Sequence, residues 1–506
     1  MGRIAVIGAG MGAMAAAARL AVAGHRVVVY ERGETYGGAL GRFERDGFSF
    51  DTGPGLLLLP AVQRDLFVKT GKEPLESRVE LCQVEPAVRH VFADGTVVSL
   101  PNASRAGVAE ALDAALGGGA GDRWAAFVNR ARDAWDRSRR PLLEEPLWPN
   151  WQVLAEREPY PARPVKRLLR PGRTATTVRE IAELELAGEP RLRALLECHP
   201  LAWGLDPRTA PASAAVLPYL EQTFGVWSVG GGMRALARAV YERCTARRVE
   251  FRFGTAVTRI VEADGRAAGV ELADGTAVEA DHVIAGVAPP VLASLLPDTE
   301  LRAPGDVPPR PGGASRLTVF LALRGGRPEG TAHRTVVHST DPEGELDALF
   351  GAVPGLPAHP TVEVLRTGDP AGAPDPEHEA VTLTATVPAL GSGGDSALVE
   401  HRRAAQRMVE SAGRAVPDLR ERLLWHEVRT PADVAVATGV PDGAVPGPAL
   451  AAAGGRLLHQ ANSTRLPGLF LVGGWSHPGG GLPHAGMSGA LVAGLVVEGP
   501  EFRGSQ

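Results

Sequence analysis

The sequence predicts a discontinuous α/β fold, in which a Rossmann-like unit built from separated stretches of chain carries an inserted α+β unit. Three observations predict it. The first thirty residues read strand, glycine-rich turn, helix, strand. The last stretch, from Gly468, reads strand, glycine-rich loop, helix. Between them helical periodicity gives way to alternating strands without an internal repeat. A chain of 506 residues has room for two or three domains, at about 100–200 residues each.

The elements follow in order. Arg3 to Ile7 is a short apolar run, a buried strand. Met11 to Ala23 is rich in Ala and Leu and reads as helix, with Gly24 suited to its C-terminus. Arg26 to Tyr30 is a second buried strand. Glu34 to Pro60 is loop-like, and Leu56 to Leu59 reads either as an apolar tunnel wall or as core. From about Ala103 to Ala155 the chain is helical, with Trp124, Phe127, Ala131 and Trp135 on one face. Val249 to Ile284 alternates around Asp264-Gly265 and Asp274-Gly275, both hairpin signals. Leu317–Leu323 and Ala380–Val387 read as strands between the Pro/Gly-rich loops Pro304–Gly313 and Asp369–Pro376. The chain closes with strand Leu469–Val472, loop Gly473–Pro483 and a helix from about His484 to Val497.

Gly8-Ala9-Gly10-Met11-Gly12-Ala13 fits G-x-G-x-x-G/A between a strand and a helix. Gly8 permits the tight turn, Gly10 lets a pyrophosphate approach the backbone, and Ala13 permits close helix–strand packing. The helix start offers unpaired N–H groups to phosphates. Glu31 lies 23 residues after Gly8, past the second strand, where an acid accepts hydrogen bonds from a ribose. A lone glycine motif is weak. Strand, helix, second strand and acid together make dinucleotide binding the reading over a bland turn. Gly37-Gly38 and then Phe50-Asp51-Thr52-Gly53-Pro54 add a second close backbone approach, as a longer cofactor requires.

With these residues the chain resembles the phytoene desaturase family, the FAD-dependent carotenoid desaturases and isomerases. The matching pattern is the glycine motif, Glu31-Arg32, Gly37-Gly38-Ala39 and Phe50-Asp51-Thr52-Gly53-Pro54. Ala39 stands where the family usually has Arg, with Arg42 nearby. Phe224 to Leu236 (FGVWSVGGGMRAL) is similar to the family's central segment, and Thr430-Pro431-Ala432-Asp433 with Gly439 to a pattern near the end. Gly468 to Gly489 (GLFLVGGWSHPGGGLPHAGMSG) is similar to its closing signature. The resemblance implies FAD, held by Gly8, Gly10, Met11, Gly12, Ala13, Glu31, Arg32, Gly37, Gly38, Ala39, Asp51, Gly53, Pro54, Val257, Gly473, Gly474, Gly481, Pro483 and Met487.

The closing motif has its own physics. Glycines let backbone approach a flavin ring without Cβ clashes, and a helix starting near His484 would point its positive end at the reduced ring. His484 and His477 are candidate proton acceptors, or else structural donors to carbonyls. Trp227 and Met233 either line a substrate channel or belong to the core.

The stretch from Trp124 to Arg179 has three readings. Between Arg157 and Arg179 it carries seven basic residues against one acidic, Glu158. It is a membrane-interface surface, a dock for an acyl carrier protein, or an ordinary solvated face. No window reaches the roughly 18 apolar residues a spanning helix needs. The expected location is cytoplasmic, with any membrane contact peripheral at the inner face. A net charge of −5 argues against nucleic acid as a partner, and three scattered cysteines make neither a disulfide framework nor a metal cluster.

The expected division gives 1–100, 225–310 and 425–506 to FAD and 101–224 and 311–424 to substrate. The leading expectation is an FAD-dependent desaturase of a long apolar polyene. A flavin-dependent cis/trans isomerase of a free or carrier-bound polyene uses the same fold. A non-catalytic flavin-binding partner and an amine oxidase remain alternatives.

Overall fold

The apolar runs from both ends of the chain meet in one sheet. The structure, a computed structural model, describes residues 1–147, 151–167, 170–296, 298, 313–389 and 394–504. Arg3–Ile7 lies at the centre, paired in parallel with Arg26–Tyr30 on one side and His282–Ala285 on the other. Glu250–Arg252 and Leu469–Leu471 complete five parallel strands. Strands buried on both faces read as unbroken apolar runs, which is why RIAVI and RVVVY stand out in the sequence. The first helix, Met11–Val22, crosses from the first strand to the second. It is alanine-rich because the closing helix, Leu482–Glu498, packs directly on it. A Cβ on Gly489 would lie 2.7 Å from the Gly12 carbonyl and 2.8 Å from the Ala15 side chain.

A second, seven-stranded sheet runs in the order Leu423–Arg429, Ala314–Arg324, His378–Pro388, Val362–Leu365, Arg334–Val337, Val88–Val91, Val97–Leu100. The two long strands expected from the sequence pair antiparallel over their full length, Ala314 against Pro388 to Arg324 against His378. The helix Gly394–Ala412 covers one face through Ala404, Ala405, Met408 and Ala412. A helical layer including Arg105–Leu116, Ala120–Arg139, Pro190–Ala202 and Val216–Phe224 forms the largest apolar cluster. The hairpins at Asp264-Gly265 and Asp274-Gly275 form as expected, joining Val257–Ala263, Arg266–Leu272 and Ala277–Glu279. Asp264 and Gly265 both take positive φ (54° and 70°), as a type I′ turn demands.

Three expectations change. Val88–Val91 and Val97–Leu100 join the second sheet, although 1–100 was assigned to the nucleotide unit; Leu423–Arg429 joins it across the expected boundary at 425. Strand pairing, which is long-range, decides these memberships. The aromatic face of Ala120–Arg139 is core rather than an interface with membrane. Trp124 is 1% and Trp135 7% exposed. Two of the seven basic residues in the run from Arg157 to Arg179 are spent on ion pairs within the fold: Arg173 meets Glu180 at 2.6 Å, and Arg179 meets Glu197 and Glu343. Trp148 and residues 168–169, and all of the Pro304–Gly313 loop except Gly313, lie outside the described residues. Among the described residues no helix is long and apolar enough to cross a membrane.

Candidate active site

The N-terminal turn is shaped by Gly8, whose φ of +92° carries the chain out of the strand. Glu31 reaches back over this turn. Its Oε2 accepts from the Ala9 N–H at 2.7 Å and its Oε1 from the Gly33 N–H at 2.8 Å. The first helix starts at Gly10 with no side-chain cap and no acid in its first turn, so its N–H groups and positive end are left for an anion. A Cβ on Gly10 would meet nothing within 4 Å, whereas one on Gly12 would lie 2.8 Å from the Ala485 carbonyl and from Gly473 Cα. One glycine keeps space open; the other lets the closing segment touch the first helix. Met11 and Ala13 are buried, and Ala13 faces Gly286, just past the strand His282–Ala285.

Gly37 pairs with Gly10 as an isolated parallel bridge, its N–H donating to the Ala9 carbonyl at 2.8 Å. A Cβ on Gly38 would approach Gly10 Cα to 3.1 Å. Arg234 holds this loop from behind, a role the sequence reading missed. It donates to the carbonyls of Tyr36 and Leu40 and to Thr35 Oγ1, and its guanidinium stacks 4.1 Å over the Tyr36 ring. The visible signal was an Arg directly after the central Gly-Gly-Met.

Other candidates are engaged elsewhere. Arg32 donates to the Val436 carbonyl at 2.7 Å, clamping the helix Pro431–Thr438. Asp51 caps the helix Met233–Ala246, accepting from Met233 N at 2.8 Å and Arg234 N at 3.3 Å. Burial pushes the Asp51 carboxyl up while those two N–H groups oppose it. Ala39 is exposed, and Arg42 reaches the Gly231 carbonyl at 3.5 Å. Gly53 packs under the Ala39 carbonyl, with Pro54 exposed beside it. Val257 follows Thr255, whose N–H donates to the Glu31 carbonyl at 2.9 Å, so it lies near the acid. Met233 is core; Trp227 is partly exposed under the Arg64 guanidinium at 5.2 Å.

The closing motif is stapled by Asn462, also missed in the sequence. This buried amide donates to the carbonyls of Leu471 (3.0 Å) and His477 (2.8 Å) and to Ser488 Oγ (3.1 Å). It ties strand, loop and helix together. Gly473, at φ +100°, has open space where a Cβ would stand, and Gly474 packs on Pro446. Gly481 starts the closing helix without a side-chain cap, with Pro483 in its first turn. Met487 packs against the helical layer.

The two histidines differ. His477 is 0% exposed; its Nε2 donates to the Glu145 carbonyl at 3.0 Å, leaving Nδ1 without a partner among the described residues. Enclosed this way it is a structural donor with no surface for a substrate. His484 keeps part of its surface open and stands beside Gly481 and the Trp203 ring. Burial pushes both imidazoles down to about 4, so both are neutral near pH 7.

A cavity of about 450 Å³ opens between the hairpin carrying Ser49 and Asp51, the turn Gly230–Gly232, and the inner face of the second sheet at Leu365, Ala380 and Thr382. Ser49 Oγ and His333 Nε2, both lining it, lack hydrogen-bond partners among the described residues. Among the described residues no cluster of three or more His, Cys, Asp or Glu is placed to hold a metal. FAD fits the residues present. Gly10 and Gly473 leave open space where side chains would stand, Glu31 overhangs the turn, and two uncapped helix starts supply donors for anions.

Comparison with known proteins agrees. Residues 14–325 match the model of flavin containing amine oxidoreductases. The chain is 30% identical to 4,4'-diapolycopene oxygenase of Methylomonas sp over 98% of both chains. It is 29% identical to hydroxyneurosporene desaturase of Rhodobacter capsulatus, over 97% of this chain and 96% of the relative. An oxidoreductase from Methanosarcina mazei shares the fold, with a TM-score of 0.62 at 16% identity over 97% of this chain and 99% of that one. The chain thus belongs to the flavin containing amine oxidoreductases, as an FAD-dependent, phytoene desaturase-like oxidoreductase.

Proposed function

We propose that the protein desaturates a long polyene, removing two hydrogens from neighbouring carbons. The observation that carries the reading is the set of glycines that keep backbone at least partly exposed, Gly10, Gly38, Gly473 and Gly481, which ends at the start of the closing helix. Full-length likeness to relatives named for carotenoid chemistry supplies the substrate class. Bound FAD supplies a two-electron acceptor for hydride.

The chain's own residues do the rest. Gly8, Gly10, Met11, the Gly37-Gly38 pair and Glu31 hold the dinucleotide, and Arg234 keeps the second glycine loop in place. Gly473, Gly474 and Gly481 admit the ring, and the closing helix offers its positive end. Leu56, Leu58 and Trp203, each partly exposed, supply apolar wall. A carbocation beside a conjugated chain is delocalised, so orientation and exclusion of water are the main demands on the protein. Neutral His484, partly exposed beside Gly481, is the proposed proton acceptor. The division into units follows the two sheets, with Val88–Leu100 and Leu423–Arg429 on the substrate side.

The test is anaerobic incubation with phytoene in liposomes, following flavin absorbance and polyene spectrum together. Flavin bleaching with a red-shifted product is expected. An unchanged flavin with altered double-bond geometry would replace desaturation with isomerisation.

A further inference from the structure

The inner face of the seven-stranded sheet is polar where a pure hydrocarbon would match an apolar wall. Along Ala314–Arg324, Leu317, Val319, Leu321 and Leu323 turn to the helix-covered side. Arg316 and Thr318 therefore turn the other way. In register, Arg316 stands opposite Thr386, Thr318 opposite Thr384, and Phe320 opposite Thr382. Thr382, Thr384 and Thr386 are each partly exposed, although their strand lies inside the sheet. This face thus borders open space, and Thr382 itself lines the cavity of about 450 Å³.

Neighbouring charges on the face are paired, with His199 Nε2 standing 3.9 Å from Glu221. Arg334 donates to Glu221 at 2.7 Å and to Glu363 at 2.8 Å. Arg316 differs. Its guanidinium donates to Thr386 Oγ1 at 3.1 Å and to the carbonyls of Ser315 and Ala202; Glu363 attracts it through space, but no carboxylate makes an ion pair with it among the described residues. Ala202 ends the helix Pro190–Ala202, whose negative end offers only a partial charge. The next residue, Trp203, packs against Gly481 beside His484, so this cation stands near the reacting end of the site. Burial pushes Arg316 down to about 10, which leaves it charged at neutral pH.

We infer that Arg316, with Thr386 beside it, anchors the carboxylate end of a polyene acid whose apolar chain lies along this sheet face. The polyene part of the inference rests on the desaturase reading. A hydrocarbon would leave this partly exposed cation without an ion-pair partner, whereas a carboxylate supplies one through a charge-assisted pair.

The experiment titrates flavin-loaded protein with all-trans-retinoic acid and all-trans-retinol, which differ only in the terminal group, following tryptophan quenching. The wild type is expected to bind the acid about tenfold tighter or more. Arg316→Met should remove that preference while leaving alcohol affinity and flavin content in place, and Arg316→Lys should keep part of it. Wild-type affinities within about twofold of each other would overturn the anchor, whether or not a variant folds. So would an Arg316→Met protein that keeps the preference. The ratio requires no turnover. Selective acid binding by a protein whose flavin no polyene bleaches would uphold the anchor and overturn the desaturase reading.

Discussion

Gly10 and Gly12 are two residues apart and do opposite work. A side chain on Gly10 enters open space, so Gly10→Val should leave the folded chain intact and abolish flavin binding. A Cβ on Gly12 strikes backbone at 2.8 Å, so Gly12→Ala should lower the melting temperature of the flavin-free protein as well. Flavin absorbance and thermal unfolding of both variants check this, and full flavin retention by Gly10→Val would remove the assignment. His484 gives a pH signature. Its folded pKa of about 4 lies below the ordinary 6.5, so the unfolded chain binds more protons between those values. The stability tied to this residue is present above pH 6.5 and lost as pH falls toward 4. His484→Gln should flatten part of that slope, the remainder belonging to groups such as His477, which shifts the same way. If His484 takes the proton, the acid limb of the rate profile lies near pH 4 rather than 6.5.

At the scale of elements, the helix Ala120–Arg139 shows how one pattern supports two readings. Its aromatic stripe is what both a membrane-facing and a core-facing helix would carry. Packing turns it inward, where Trp124 Nε1 donates to Gln222 Oε1 at 3.0 Å. Trp124→Ala should therefore cost about 3–5 kcal/mol in urea unfolding and leave vesicle flotation unchanged. Loss of flotation without loss of stability would return the helix to the membrane. The Thr430-Pro431-Ala432-Asp433 stretch, read in the sequence only as a family pattern, starts its helix through a local capping box in which Thr430 and Asp433 satisfy each other's backbone N–H groups. Asn462 was not legible, because its three acceptors come together only when strand, loop and helix do.

At the scale of the molecule, the central sheet requires both chain ends. Leu469–Leu471 pairs with His282–Ala285, which pairs with Arg3–Ile7, and the closing helix crosses the first helix at Gly12 and Gly489. A chain cut after residue 465 should lose bound flavin and cooperative unfolding together, read by flavin content and circular dichroism. A truncated protein that still unfolds cooperatively with flavin bound would show that the sheet closes without its last strand.

The sequence by itself determined the glycine-rich turn between the first strand and helix, the two long strands and the closing loop and helix. These rest on short-range rules: glycine at positive φ, apolar runs in buried strands, caps at helix ends. Tertiary structure alone decided the rest. It placed Val88–Val91 and Val97–Leu100 on the second sheet, turned Arg32 to the Val436 carbonyl and Asp51 to the start of Met233–Ala246, enclosed His477 and left Arg316 without a carboxylate in ion-pair contact among the described residues. Those outcomes depend on which distant segments arrive beside a given side chain, and neither spacing nor composition carries that information.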